Sequence, residues 1–206
     1  MDSKDLRMSV RSLLAAMLLG VLVAAPAGAQ QQSESYKFLQ AVKDAKGNEV
    51  TEMLGRPGSN IINTRDPSTG EGALHTVIKR GDETYLRFLL QKGADPNLRD
   101  GRGNTPLLLV VTTGQTDMIG ILAAAKANAN IANSAGETPL IRAVQRRDIT
   151  MVRELLAAGA DPDQGDLLAG MSARDYATQD PRNAAIAKVL ADTPKKTRKA
   201  VSGPKL

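Results

Sequence analysis

The chain has 206 residues, a net charge of +5 and no cysteine. That length holds one domain or two small ones, and an exported chain without cysteine is held by packing alone, because it can form no disulfide. The excess charge sits in Lys195, Lys196, Arg198, Lys199 and Lys205, so the body is close to balance and no overall nucleic-acid signature is present.

In chain order, Lys4, Arg7 and Arg11 form a basic start, Leu13 to Ala25 is a nearly unbroken apolar run, and Ala27-Gly28-Ala29 presents small residues. This pattern predicts a secretory signal peptide over residues 1–29, cleaved after Ala29. The apolar run falls short of the ~20 residues a spanning helix needs, and no cysteine follows it to carry a lipoprotein anchor. The expected destination is a bacterial periplasm; an uncleaved signal anchor is the alternative. Gln30 to Ser35 is polar and predicted to be a disordered lead-in. Residues 191–206 form a Lys-, Thr- and Pro-rich tail, expected to be flexible.

Between these segments the sequence echoes itself every 33 residues. Gly70, Gly103 and Gly136 are spaced so, as are Asn97, Asn130 and Asp163, and Thr105 and Thr138, each followed by Pro-Leu. A fixed period in this range marks stacked units that cannot fold alone. Within the unit from Asp100 to Ala132, Asp100-Gly101-Arg102-Gly103 carries turn chemistry. Thr105 is a good N-cap and Pro106 fits the first helical position, where its missing N–H is harmless. A first helix is predicted over 107–111 with Gly114 as its stop, and a second over 117–125. In the neighbouring units Gly93 and Gly159 follow that second helix, where a left-handed residue is needed. The predicted core stripe reads Leu86, Leu89, Leu90, then Ile119, Leu122, Ala123, then Val152, Leu155, Leu156.

The strings Thr105-Pro106-Leu107, Thr138-Pro139-Leu140 and Gly72-Ala73-Leu74-His75, with the Gly-Ala-Asp-Pro loops at 93–96 and 159–162, resemble the ankyrin repeat. The resemblance covers residues 36–190 as five units: 36–65, 66–99, 100–132, 133–163 and 164–190. It implies an all-α ankyrin-repeat solenoid, with three regular repeats between two degenerate caps. In the last unit, Arg174 replaces the Leu usual in the family's terminal variant. The resemblance also implies a non-catalytic module that binds a protein partner through a concave groove and turn fingers.

Chemistry-bearing residues are few. His75 is the only histidine, and the resemblance gives it a hydrogen bond within the stack. Asp161, Asp163 and Asp166 lie close together, but Gly165, Asp166 and Ser172 fall at the wrong places for a Ca²⁺ loop. Gly101 and Gly103 lack the rest of a phosphate loop. No enzyme, cofactor or metal is expected. The partner-binding candidates are Lys79-Arg80 and Arg146-Arg147, read as occupying the same place at the end of their first helices, with Thr112-Thr113 between them. To these are added Arg142 and the finger residues Arg99, Arg102, Asn104 and Glu137. The expected partner is a protein with an acidic or polar surface, bound by a monomer, with no nucleic acid; the basic tail suggests a membrane surface as the alternative contact. Gly120 within the predicted second helix, Lys126 in place of the terminating glycine and Ala123 in place of a core leucine make 112–130 the segment expected to open most easily.

Overall fold

The computed structural model describes residues 27–194; the predicted signal peptide up to Pro26 and the basic tail from Lys195 lie outside the described residues. The chain divides into two units, Met1–Glu34 and Ser35–Leu206, and the stack of repeats belongs to the second.

Each repeat is a helix pair, and no strand occurs among the described residues. The first pair is α1 (Ala27–Lys43) and α2 (Gly47–Gly55), followed by a 3-10 turn at Ile61–Asn63. Then come α3 (Ala73–Arg80) with α4 (Glu83–Gln91), α5 (Pro106–Thr113) with α6 (Asp117–Ala124), and α7 (Pro139–Gln145) with α8 (Ile149–Ala157). The last repeat is α9 (Ala173–Gln179), a 3-10 turn at Pro181–Asn183 and α10 (Ala184–Asp192). First helices pack on first helices, α3 on α5, α5 on α7 and α7 on α9; second helices do likewise, α6 on α8 and α8 on α10.

The helix starts follow their sequence signals. Thr105 and Thr138 accept the N–H of Leu108 and Ile141, each at 3.2 Å. Both threonines are almost fully buried, so the cap satisfies an N–H that water cannot reach. Ser172 and Asp175 exchange the same bonds reciprocally as a capping box.

Three expectations are corrected. Residues 30–35 belong to α1 rather than to a disordered lead-in; they contain neither Gly nor Pro, so the helix nucleated by buried Phe38, Ala41 and Val42 extends back through them. At the other end the last repeat reaches Thr193, three residues into the predicted tail, because Thr193 Oγ1 donates to the Val189 carbonyl and its own carbonyl accepts from Arg174. The buried stripe of the second helices is also shifted. Leu90, Ala123 and Leu156 are only partly buried, while Met118 and Met151 are enclosed beside Ile119-Leu122 and Val152-Leu155.

The turn fingers, 66–71, 100–104, 133–137 and 166–171, are each closed by a backbone bond, such as Asp100 N to Asn104 O at 2.9 Å. Each finger then bonds to the one before it. Gly101 N donates to Thr69 O at 2.8 Å, Ser134 N to Arg102 O at 3.1 Å, and Leu167 N to Ala135 O at 3.1 Å. On the opposite loops the periodic asparagines form a second ladder. Asn63 Oδ1 accepts Asp95 N at 2.7 Å, Asn97 Oδ1 accepts Asn128 N at 2.7 Å, and Asn130 Oδ1 accepts Asp161 N at 2.6 Å. Asn97 and Asn130, 33 residues apart, therefore each make one inter-repeat hydrogen bond.

Candidate functional site

The first helices and the fingers together form one face of the stack. At its N-terminal end lies a cleft of about 490 Å³, lined on α1 by Tyr36, Leu39, Gln40 and Lys43, on the finger by Thr69 and Glu71, and on α3 by Thr76 and Lys79. Tyr36 is 66% exposed. The α1 residues recur at i, i+3, i+4 and i+7, so one helix face supplies them; that spacing is readable in the sequence, yet none of the four stands among the sequence candidates.

Most of the nominated cations are engaged inside the stack. Arg80 Nη1 donates to the Val42 carbonyl at 2.9 Å, at the C-terminus of α1, while Nη2 pairs with Asp82 at 3.0 Å. Its guanidinium lies over the Tyr85 ring, 5.3 Å from the centroid. Arg146 Nη1 donates to the Thr112 carbonyl at 3.0 Å, and Gln115 Nε2 to the Ile78 carbonyl at 2.8 Å. Three successive first helices thus have a carbonyl of the last turn that accepts from a side chain of the next repeat. Arg99 is likewise engaged, with Gly103 O at 3.1 Å and Ala132 O at 3.0 Å.

The basic pairs differ in register by one residue from the sequence expectation. Gly81 and Gly114 cap α3 and α5 in the left-handed region, at φ 74 and φ 82, and Arg147 takes the same place at φ 59. Arg146 is therefore the counterpart of Arg80 and Thr113, and Arg147 the counterpart of two glycines. A non-glycine residue conceals the cap position from a sequence scan. Arg147 reaches Asp180 in the last repeat at 3.2 Å.

Of the remaining candidates, Lys79 pairs with Glu71, and Arg142 with Glu137 at 2.7 Å. Thr112 and Thr113 are exposed, but their hydroxyls bond back to Leu108 O and Leu109 O. Asn104 braces its finger against Asp100 and receives Asn133 Nδ2 at 3.3 Å. Arg102 stands exposed at a finger tip. This face therefore displays paired charges of both signs, rather than the row of cations the sequence suggested.

His75 is fully buried. Its Nδ1 accepts Gly72 N–H at 3.2 Å, which leaves the proton on Nε2 to donate to Asn104 O at 3.1 Å in the next repeat. Burial lowers its pKa, against the opposing pull of the Asn104 carbonyl and of Asp100 and Glu71. Gly72 has no side chain to accept the third helical N–H as Thr105 and Thr138 do; the imidazole instead takes up the N–H of Gly72 itself. Asp161, Asp163 and Asp166 bind separate partners: Asp163 N–H, Arg174, and the Tyr176 hydroxyl with Ala169 N–H. The Tyr176 hydroxyl is the leading cause that holds Asp166 below the usual carboxylate range. Among the described residues no group of His, Cys, Asp and Glu is placed to hold a metal ion.

The repeats have counterparts among known proteins. A family model described as ankyrin repeats in three copies matches residues 38–133 and 74–166. The chain belongs to the ankyrin-repeat family. Among curated proteins it is similar to oxysterol-binding protein homolog 1 of Saccharomyces cerevisiae, 43% identical over 27% of this chain and 5% of that protein. It is also similar to a putative ankyrin repeat protein of fowlpox virus, 34% identical over 37% of this chain and 40% of that protein, and to a putative ankyrin repeat-containing protein of Treponema pallidum, 33% identical over 36% and 28%. In each case the chain spans well under half of the relative's length. Ankyrin repeats mark a protein–protein interaction module, and the family is generally non-catalytic.

Proposed function

We propose that the chain is a periplasmic recognition module that holds a partner protein against the face formed by its first helices and fingers. The observation that carries this is the cleft between α1 and the first finger, where exposed Tyr36 stands beside the Glu71–Lys79 pair. An aromatic ring costs little conformational entropy when it is covered, and it anchors interfaces well. The flanking ion pair offers one donor and one acceptor, which suits a polar partner carrying both signs of charge better than a uniformly acidic one.

Export rests on the basic start, the apolar run and the small residues at Ala27 and Ala29. Fractionation tests it: release with the periplasmic contents and an N-terminus at Gln30 support it, whereas retention with membranes supports attachment through the tail or an uncleaved signal. The groove is tested by Tyr36→Ala combined with Lys79→Glu, each an exposed position. Partner recovery from the native envelope should fall at least ten-fold, and unchanged recovery would overturn the reading.

A further inference from the structure

The finger ladder has two different ends. At the first finger, the residue in the donor place of Gly101, Ser134 and Leu167 is Pro67, which has no N–H. That end is closed. At the fourth finger, the residue in the acceptor place of Thr69, Arg102 and Ala135 is Ala169, which is exposed and receives no backbone donor among the described residues.

The glycine after each acceptor shows the same asymmetry. At Gly70, Gly103 and Gly136 the next finger presses close. A Cβ at Gly70 would collide with Gly101 N, one at Gly136 with Leu167 N, and one at Gly103 would lie 2.8 Å from Ser134 N. Gly170 keeps the left-handed conformation, at φ 65, yet among the described residues nothing lies within 4 Å of the same position. The seat is built, and no described residue packs on it. Beside it Leu167 and Leu168 are 76% and 84% exposed, the most exposed large apolar side chains among the described residues. Terminal repeats ordinarily turn a polar surface outward, and an apolar pair at such an end marks a contact.

We propose that this end of the ribbon accepts an extended segment of a partner protein as a fifth finger. The segment donates a backbone N–H to the Ala169 carbonyl, runs close over Gly170 and packs an apolar side chain on Leu167 and Leu168. The occupant follows from continuity with the three finger contacts already made, which are main-chain pairings. A second copy cannot continue the ladder head to tail, because its own leading finger presents Pro67. The surface is additional to the groove, and it stands whether or not the groove reading does.

The test uses the full chain and a displayed library of random twelve-residue peptides. Enriched peptides should carry apolar residues, and N-methylation at one amide of a synthetic winner should weaken binding at least ten-fold. Gly170→Asn fills the seat with a residue that tolerates the left-handed conformation; it and the double variant Leu167→Ser, Leu168→Ser should each weaken binding by a similar factor. Lys79→Glu in the groove should leave binding unchanged. If Gly170→Asn alters the far-ultraviolet spectrum, the exposed leucine pair carries the comparison. No enrichment, binding indifferent to the finger variants, or binding lost with Lys79→Glu each overturns the proposal. So does a leucine-dependent dimer in sedimentation of the chain alone.

Discussion

Arg174 Nε donates to Asp163 Oδ1 at 2.7 Å, and through this contact the last repeat closes the asparagine ladder. Asn63, Asn97 and Asn130 each reach the loop of the following repeat, but among the described residues no following loop donates to Asp163 in this way. Arg174 takes up its carboxylate and carries the connection to the Leu190 carbonyl and to Thr193 O, the latter at 2.6 Å. A leucine there could do none of this.

Arg174→Leu should therefore lower unfolding stability by about 1.5–3 kcal/mol, the range for hydrogen bonds to charged groups in a partly buried setting. Asp163 Oδ2 is already buried without a partner among the described residues, so removing the arginine strands the carboxylate. Adding Asp163→Asn should recover part of the loss. Urea denaturation reads both; an unchanged midpoint for Arg174→Leu would show that the contact does not hold the cap.

His75 should give the stack a pH dependence. Its folded pKa is lowered by burial, and its unfolded value is about 6.5. Below that value the unfolded chain takes up a proton that the folded chain resists. Stability from this group is complete above about pH 6.5 and declines as the pH falls toward the folded value. His75→Gln should flatten the decline between about pH 7 and 5, measured against the native chain; parallel curves would remove His75 as its source.

The third repeat carries two local faults. Lys126 sits in the left-handed region at φ 65, where Gly93 and Gly159 stand in the neighbouring repeats at φ 91 and φ 88. Gly120 lies in α6 with open space around it. Lys126→Gly and Gly120→Ala should each add about 1 kcal/mol. Amide exchange over residues 112–130 should slow more than elsewhere; slowing spread evenly along the stack would contradict a local weakness.

Arg146 holds the Thr112 carbonyl, so Arg146→Ala should cost about 1 kcal/mol of stability and leave partner recovery intact. Reduced recovery with unchanged stability would return Arg146 to the recognition surface.

The period made the stack legible, because Thr-Pro caps, loop glycines and alternating helices all recur with it. The register of the basic pairs was not legible: Arg147 adopts a conformation the sequence reserves for glycine, so Arg146-Arg147 aligned with Lys79-Arg80 by composition alone. Nor could spacing show that Arg80 and Arg146 point along the stack toward carbonyls 38 and 34 residues away. Nothing in the sequence marks the cleft, because Tyr36 and Gln40 belong to the degenerate first repeat, where no neighbouring unit sets them off as exceptions.

Site-directed photocrosslinking in the native envelope tests the recognition face most directly. A benzophenone side chain placed at Tyr36 or Arg102 should yield the same partner adduct by mass spectrometry, whereas one placed at exposed Arg153 on α8 or Lys188 on α10 should yield none. Equal adducts from both pairs of positions, or none from Tyr36 and Arg102, would contradict recognition through this face.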